Sequence, residues 1–141
     1  MGLGGTWYNE LGSVMELEIR GSEITGIYKT NVGDADGWYS IVGRTGGAQA
    51  NRETLGFLVL WKNGKRDTDS VTVWTGELLA DSRGNERIET MWLLTCETSA
   101  QDEWKSTLAG KDIFQRWPFP EDFVKSARRA KAPSHPGKAA G

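Results

Sequence analysis

Asn9, Ser13, Tyr28, Thr30, Ser70, Thr72 and Asp112 are the side chains whose types and spacing could do chemistry in this sequence. Each stands an even number of residues from an aromatic or apolar neighbour. The stretch "GTWYNELGS" at residues 5–13 sets the pattern. Side chains alternate faces along a strand, so Trp7, Asn9, Leu11 and Ser13 share one side. By the same parity Tyr28 goes with Thr30, Phe57 with Val59 and Trp61, and Ser70 with Thr72 and Trp74. Thr90 goes with Trp92 and Leu94, and Asp112 with Phe114. A plain core would hold Val, Leu, Ile and Phe, and a water-facing side would not keep tryptophans in register. Aromatic walls with a few placed polar groups suit a pocket that bonds the edge of a small molecule and covers its body.

Catalysis fits poorly. Acid–base chemistry needs groups held in opposed protonation states near a substrate. Only Asp112 lies on the shared face, with no His, Lys or second carboxylate at matching parity. The single histidine, His135, sits in a weakly patterned tail. The single cysteine, Cys96, excludes an intrachain disulfide and reads as a small buried apolar residue.

These side chains need strands to hold them. The pattern predicts eight, near 5–11, 14–20, 24–31, 38–45, 54–63, 70–80, 87–97 and 110–117. Turn signals separate them: "RGSE" at 20–23, "GDADG" at 33–37, "KNGKRD" at 62–67 with its Asn-Gly hairpin pair, and "DSRGNE" at 81–86. "TGGAQANRE" at 45–53 reads as a longer loop. "ETSAQDEWKSTLAG" at 97–110 is the longest connection, with room for a helical turn. Short links make neighbours antiparallel, and eight such strands in simple order give an all-β, up-and-down barrel. Residues 1–118 form this barrel domain. The chain from 119 to 141 reads as a flexible, basic tail with a brief helix over 123–131.

Composition agrees. The 141 residues suit one domain, and 38% apolar with 26% charged is ordinary for a soluble globular protein. A net charge of −2 gives no bulk attraction to nucleic acid, and no apolar run could cross a membrane as a helix. "MGLGGTW" is too short and polar for a signal peptide, so the protein either stays inside the cell or begins after a removed signal. Eighteen glycines fit many short strands and turns, and seven tryptophans fit a lined cavity, a large interface or both. The opposite parity is also apolar: Leu58, Leu60, Val71, Val73, Met91 and Leu93 point outward from the barrel. That patch predicts a sheet-on-sheet contact in a symmetric oligomer, unless the tail or a loop covers it.

The blocks "GTWYNELGS", "TGIY", "LGFLVLWKN", "SVTVWTG", "MWLLT" and "WKSTLAGKDIF", in that order, resemble the avidin/streptavidin family of biotin-binding proteins. The resemblance implies an eight-stranded barrel, a homotetramer or sometimes a dimer, and biotin or a biotinylated molecule bound at one barrel end without a cofactor. It implies that Asn9, Ser13 and Tyr28 donate to the ureido oxygen, and that Thr30 and Asp112 accept from the ureido N–H groups. Thr72 would face the thioether sulfur. Trp61, Trp74 and Trp92 would wall the rings, with Leu94 and Leu108 beneath. Ser70 and the backbone N–H of Asp34 would meet the carboxylate, residues 31–38 would be a lid, and Trp104 would reach a neighbouring subunit's site. The role implied is sequestration of the vitamin.

Taken singly, each residue has a plainer reading. Asn9 could end a strand, Tyr28 could be a core tyrosine, Asp112 a turn carboxylate, and Trp104 a seal on its own barrel. Asp34, Trp38, Phe57 and Asp69 depart from the family pattern. An inward Asp34 side chain would repel a free carboxylate. A lipocalin-like carrier of another apolar ligand is the alternative, and the inward polar set argues against it.

Overall fold

A computed structural model describes residues 2–30, 37–49, 52–62, 69–96 and 107–131. Its strands are β1 Gly5–Asn9, β2 Val14–Arg20, β3 Glu23–Lys29, β4 Tyr39–Gln49, β5 Arg52–Lys62, β6 Asp69–Ala80, β7 Glu86–Cys96 and β8 Thr107–Gln115. They close in sequence order, every pair antiparallel, with β8 returning to β1 through Asn9↔Phe114 and Tyr8↔Gln115. The expected all-β, up-and-down barrel is therefore the fold. One end gathers the C-terminal ends of β1, β3, β5 and β7 and the N-terminal ends of β2, β4, β6 and β8.

Several boundaries differ from the sequence reading, and three have a clear local cause. β1 stops at Asn9 rather than running to residue 11. There the Asn9 Oδ1 accepts the backbone N–H groups of Leu11 (3.0 Å) and Ser13 (2.9 Å), and Gly12 takes a φ of 83° to close the turn. Residues 45–49 and 52–53 are strand, not loop. The ladder passes a register shift between Thr45 and Ala48, so the Gly46–Gly47 pair marks a bulge rather than a turn. β8 starts at Thr107, because its ladder to β7 continues through Leu94↔Leu108 and Thr95↔Thr107.

Other local signals act as read. In the 81–86 turn, Asp81 Oδ1 accepts the N–H groups of Arg83 (2.8 Å) and Asn85 (2.9 Å). The bonds from Asn85 hold the Asp81 carboxyl below its ordinary range. The "KNGKRD" turn and the 97–106 connection fall on or across residues outside those described. An α-helix, α1, spans Glu121–Lys131. It begins two residues earlier than its sequence suggested, with Val124 N–H donating to the Pro120 carbonyl and acidic Glu121 and Asp122 at the N-terminus.

The end opposite the site is closed by apolar packing and one arginine. Leu3, Trp7, Leu17, Ile24, Leu55, Leu78, Ile88 and Phe114 are buried together there and along the axis. The Arg116 guanidinium lies 3.7 Å from the Trp7 ring centroid. It donates to the carbonyls of Gly2 (2.6 Å) and Gly4 (2.9 Å) and pairs with Glu86 at 3.3 Å. A planar, five-donor group suits this mixture of stacking and carbonyl capture.

Candidate functional site

The barrel brings Asn9, Ser13, Tyr28, Thr72, Trp74, Leu94 and Asp112 inside with no exposure, joined by Trp61, Trp92, Ser70 and Thr30 at 7% or less. Parity accounts for those on regular ladders: Trp61↔Ser70, Thr72↔Leu94, Trp74↔Trp92 and Thr90↔Asp112 are direct neighbours across strands. Leu11 and Ser13 are also buried, but the turn places them rather than strand alternation. Leu108 is half-buried against the core. Asp34 and Trp104 lie outside the described residues, as does most of the 31–38 segment. Trp38 is half exposed, with the Lys29 ammonium 5.8 Å from its ring centroid.

One wall is a polar cluster. Both turn N–H groups bind Asn9 Oδ1, which fixes the amide with its nitrogen turned away from the turn. That Nδ2 donates to the Tyr28 hydroxyl at 3.2 Å, leaving one of its two N–H bonds for another acceptor. Ser13 also shares a hydrogen bond with the Tyr28 hydroxyl. Complete burial, and then the nearby Asp112 charge, push the Tyr28 phenol well above its ordinary pKa. The phenol therefore stays protonated and remains a donor throughout the neutral range.

The facing wall is aromatic with fixed edges. The Trp74 indole donates to Asp112 Oδ2 at 3.0 Å, and the Trp61 indole donates to Thr72 Oγ at 2.8 Å. Trp74 stacks on Phe57 at 4.9 Å and meets Tyr28 at 5.2 Å, while Tyr39 presents its edge to Trp61 at 4.9 Å. Such pairs prefer offset or edge-on contact, so each ring limits the rotation of the next. Thr72 accepts from Trp61 and keeps its own proton to donate. Among the described residues the buried Ser70 hydroxyl has no hydrogen-bond partner. A buried orphan of this kind asks for a missing partner.

Three residues outside the expected ligand set also shape the site. Thr90 Oγ donates to the Asp112 carbonyl at 2.9 Å and ties β7 to the residue carrying the carboxylate. Gly110 faces Trp92 across the ladder, and a Cβ there would overlap the indole ring. The signal in sequence is a glycine at interior parity two residues before Asp112. Glu10, at outward parity, is nonetheless buried, because Oε2 accepts the Ile113 N–H at 3.0 Å where β1 has ended.

The outer wall keeps its expected apolar parity. Leu58, Leu60, Val73, Met91 and Leu93 are 37–57% exposed in the single chain, and Val71 is half-buried. A groove of about 740 Å³ crosses β6, β7 and β8 on that wall, lined by Thr75, Met91, Lys111 and Ile113 among others. Its lining is mainly of outward-facing residues, with Thr90 and Asp112 also bordering it. No described helix is long and apolar enough to cross a membrane.

A closed up-and-down barrel whose one end buries an amide, a phenol, hydroxyls and a carboxylate against indoles defines a narrow class of small β-barrel proteins. The chain belongs to the avidin family, whose pattern it matches over residues 1–117. It is 37% identical over 121 residues to avidin-related protein 4/5 of Gallus gallus, covering 81% of this chain and 77% of that one. It is 36% identical over 126 residues to avidin of the same organism, with the same coverage. It is also similar to afifavidin of Afifella pfennigii, 33% identical over 114 residues, covering 77% of this chain and 65% of that one.

Proposed function

We propose that the protein binds biotin inside the barrel and sequesters it without catalysis. The observation that carries this reading is the burial of two complementary polar groups close together inside one barrel. Asn9, Ser13 and Tyr28 form a donor cluster, and Asp112 supplies a carboxylate fixed by Trp74. A urea is polarised by donors at its oxygen and acceptors at its N–H groups, so the two sets strengthen one another. Trp61, Trp74 and Trp92 then cover the rings, Thr72 faces the sulfur, and Leu94 and Leu108 lie beneath. Thr30 is a second N–H acceptor. Ser70 and the Asp34 backbone N–H take the carboxylate; the orphaned Ser70 hydroxyl supports its part of this assignment. Trp104 is assigned to a neighbouring subunit's site by family resemblance.

The buried, hydrogen-bonded polar groups favour this reading over a carrier of purely apolar ligands, for which such groups would only cost desolvation. Groups fixed before the ligand arrives also reduce the ordering cost of binding. The unit doing this is residues 1–118, with 119–141 as an appended tail. The exposed apolar wall of β5, β6 and β7 supports assembly as a homotetramer, with a dimer as the smaller closed form.

The test is a biotin titration followed by tryptophan fluorescence, on protein unfolded and refolded to strip bound vitamin. A sharp change saturating at one biotin per chain is expected. No change at micromolar biotin, with fatty acids or retinoids binding instead, would replace this reading with the apolar-carrier one.

A further inference from the structure

The 10–13 turn is held from three directions. Within the turn, Asn9 Oδ1 accepts the N–H groups of Leu11 and Ser13. From β8, the Ile113 N–H reaches Glu10 Oε2 at 3.0 Å, one residue beyond Asp112. The third hold comes from outside the barrel: Arg128 of α1 donates through Nε to the Leu11 carbonyl at 3.1 Å. Leu11 lies past the end of β1, so its carbonyl is not part of the β-ladder. On α1, Val124, Ala127 and Arg128 are half-buried while most neighbouring positions are exposed. That i, i+3, i+4 spacing marks one helix face as the docked one.

We propose that Arg128 is a positioning residue for the ligand site, and that α1 braces the turn whose geometry aims the Asn9 amide. The proposal rests on the biotin reading for its functional consequence. The peptide group that Arg128 holds by its oxygen is the one whose N–H, at Gly12, donates to the Asn9 carbonyl at 3.1 Å. The Asn9 N–H in turn donates to the Ser13 carbonyl at 3.0 Å. A cation on the Leu11 oxygen polarises that one peptide group and makes the Gly12 N–H a stronger donor to the Asn9 carbonyl. Asn9 keeps its aim only while both turn N–H groups stay on Oδ1. Freeing the turn on its outer side therefore loosens the donor meant for the ureido oxygen, although Arg128 itself touches no ligand.

The experiment compares the full chain with Arg128→Ala, Asn9→Ala and the double variant. Biotin dissociation is measured in all four, and amide hydrogen exchange at Leu11 and Ser13 in the ligand-free wild type and Arg128→Ala. Arg128→Ala should speed dissociation about three- to tenfold, the size of one ordinary hydrogen bond, since solvent at this half-buried site screens the charge. Leu11 and Ser13 should exchange faster, and Arg128→Lys should recover part of both effects. In the Asn9→Ala background the Arg128 effect should vanish, since coupled residues are not additive. An equal effect in both backgrounds, or unchanged dissociation, overturns the proposal. If the wild type binds no biotin, the functional reading fails by itself. Exchange then decides the brace: unchanged protection in Arg128→Ala overturns it.

Discussion

Replacing Asp112 tests the site at the residue where the wall and the proposed ligand meet. Asp112 has no solvent exposure, and its Oδ2 accepts the Trp74 indole N–H at 3.0 Å. Asp112→Ala leaves that buried donor without its acceptor, which should lower ligand-free stability by about 1–3 kcal/mol. Binding suffers separately, because a ureido N–H loses a charged partner and the urea loses the counterpart of its donor cluster. Truncating one side of a buried charged pair costs about 2–5 kcal/mol. At about 1.4 kcal/mol per decade, biotin Kd should rise roughly 30- to 4,000-fold. Asp112→Asn separates the two effects. Its amide oxygen still accepts from Trp74, so ligand-free stability should hold while affinity falls with the lost charge. Competition titration gives Kd, and a thermal melt without biotin gives the stability arm. An Asp112→Ala protein with Kd within about twofold of wild type would refute the carboxylate's assignment and the urea logic built on it.

Tyr28 gives an alkaline signature. Its phenol is held well above the ordinary 10.0, so below about pH 10 both native and unfolded chains keep the proton. Above that, only the unfolded chain loses it, and stability should fall with a slope of one proton until the native phenol titrates. Tyr28→Phe should lack this component in denaturant melts across pH, and the same slope in both proteins would contradict the burial argument. Gly110→Ala puts a methyl into the Trp92 ring, so it should cost about 1–3 kcal/mol in stability and weaken biotin. A melt and a titration check both, and an unchanged melt would mean Trp92 moves freely. Charged replacements on the outer wall, Leu60→Lys with Leu93→Lys, should split the proposed tetramer in light-scattering measurements while each barrel still melts cooperatively. An unchanged mass would free that wall of any role in assembly.

The interior was legible wherever the ladder is regular. Trp61, Thr72, Trp74, Trp92, Leu94 and Asp112 are buried as alternation required, because β5 to β8 pair over long uninterrupted registers. Ser13 was placed correctly for an incomplete reason: a side-chain-capped turn, not a strand, turns it inward. Gly46 and Gly47 misled, since a glycine pair signals a turn and a bulge equally well. Glu10, Arg116 and Arg128 were hidden for a different reason. Their partners lie 103, 112 and 117 residues away in the chain, and each captures a backbone group just beyond where β1 pairs. Periodicity encodes the face a residue takes within a strand; it carries no information about where a strand stops.

The site end contains an expense that the rest of the barrel offsets. An amide, a phenol, hydroxyls and a carboxylate held out of water each cost free energy unless bonded. Their mutual bonds cover most of that cost, yet Ser70 among the described residues stays unpaired. Stability must come from elsewhere, and the strands divide accordingly. Leu17 and Ile24 flank the 20–23 turn, and Leu78 and Ile88 flank the 81–85 turn, all buried and far along their strands from the polar wall. At about 1.5–3 kcal/mol for each fully buried side chain, this apolar end is the source of cohesion. Arg116 fastens the N-terminal segment across it through Gly2, Gly4 and Trp7. The barrel as a whole thus runs from an apolar, stabilising end to one that carries the polar, ligand-facing groups. The same period-two alternation serves both ends, and only the side-chain chemistry changes along its length.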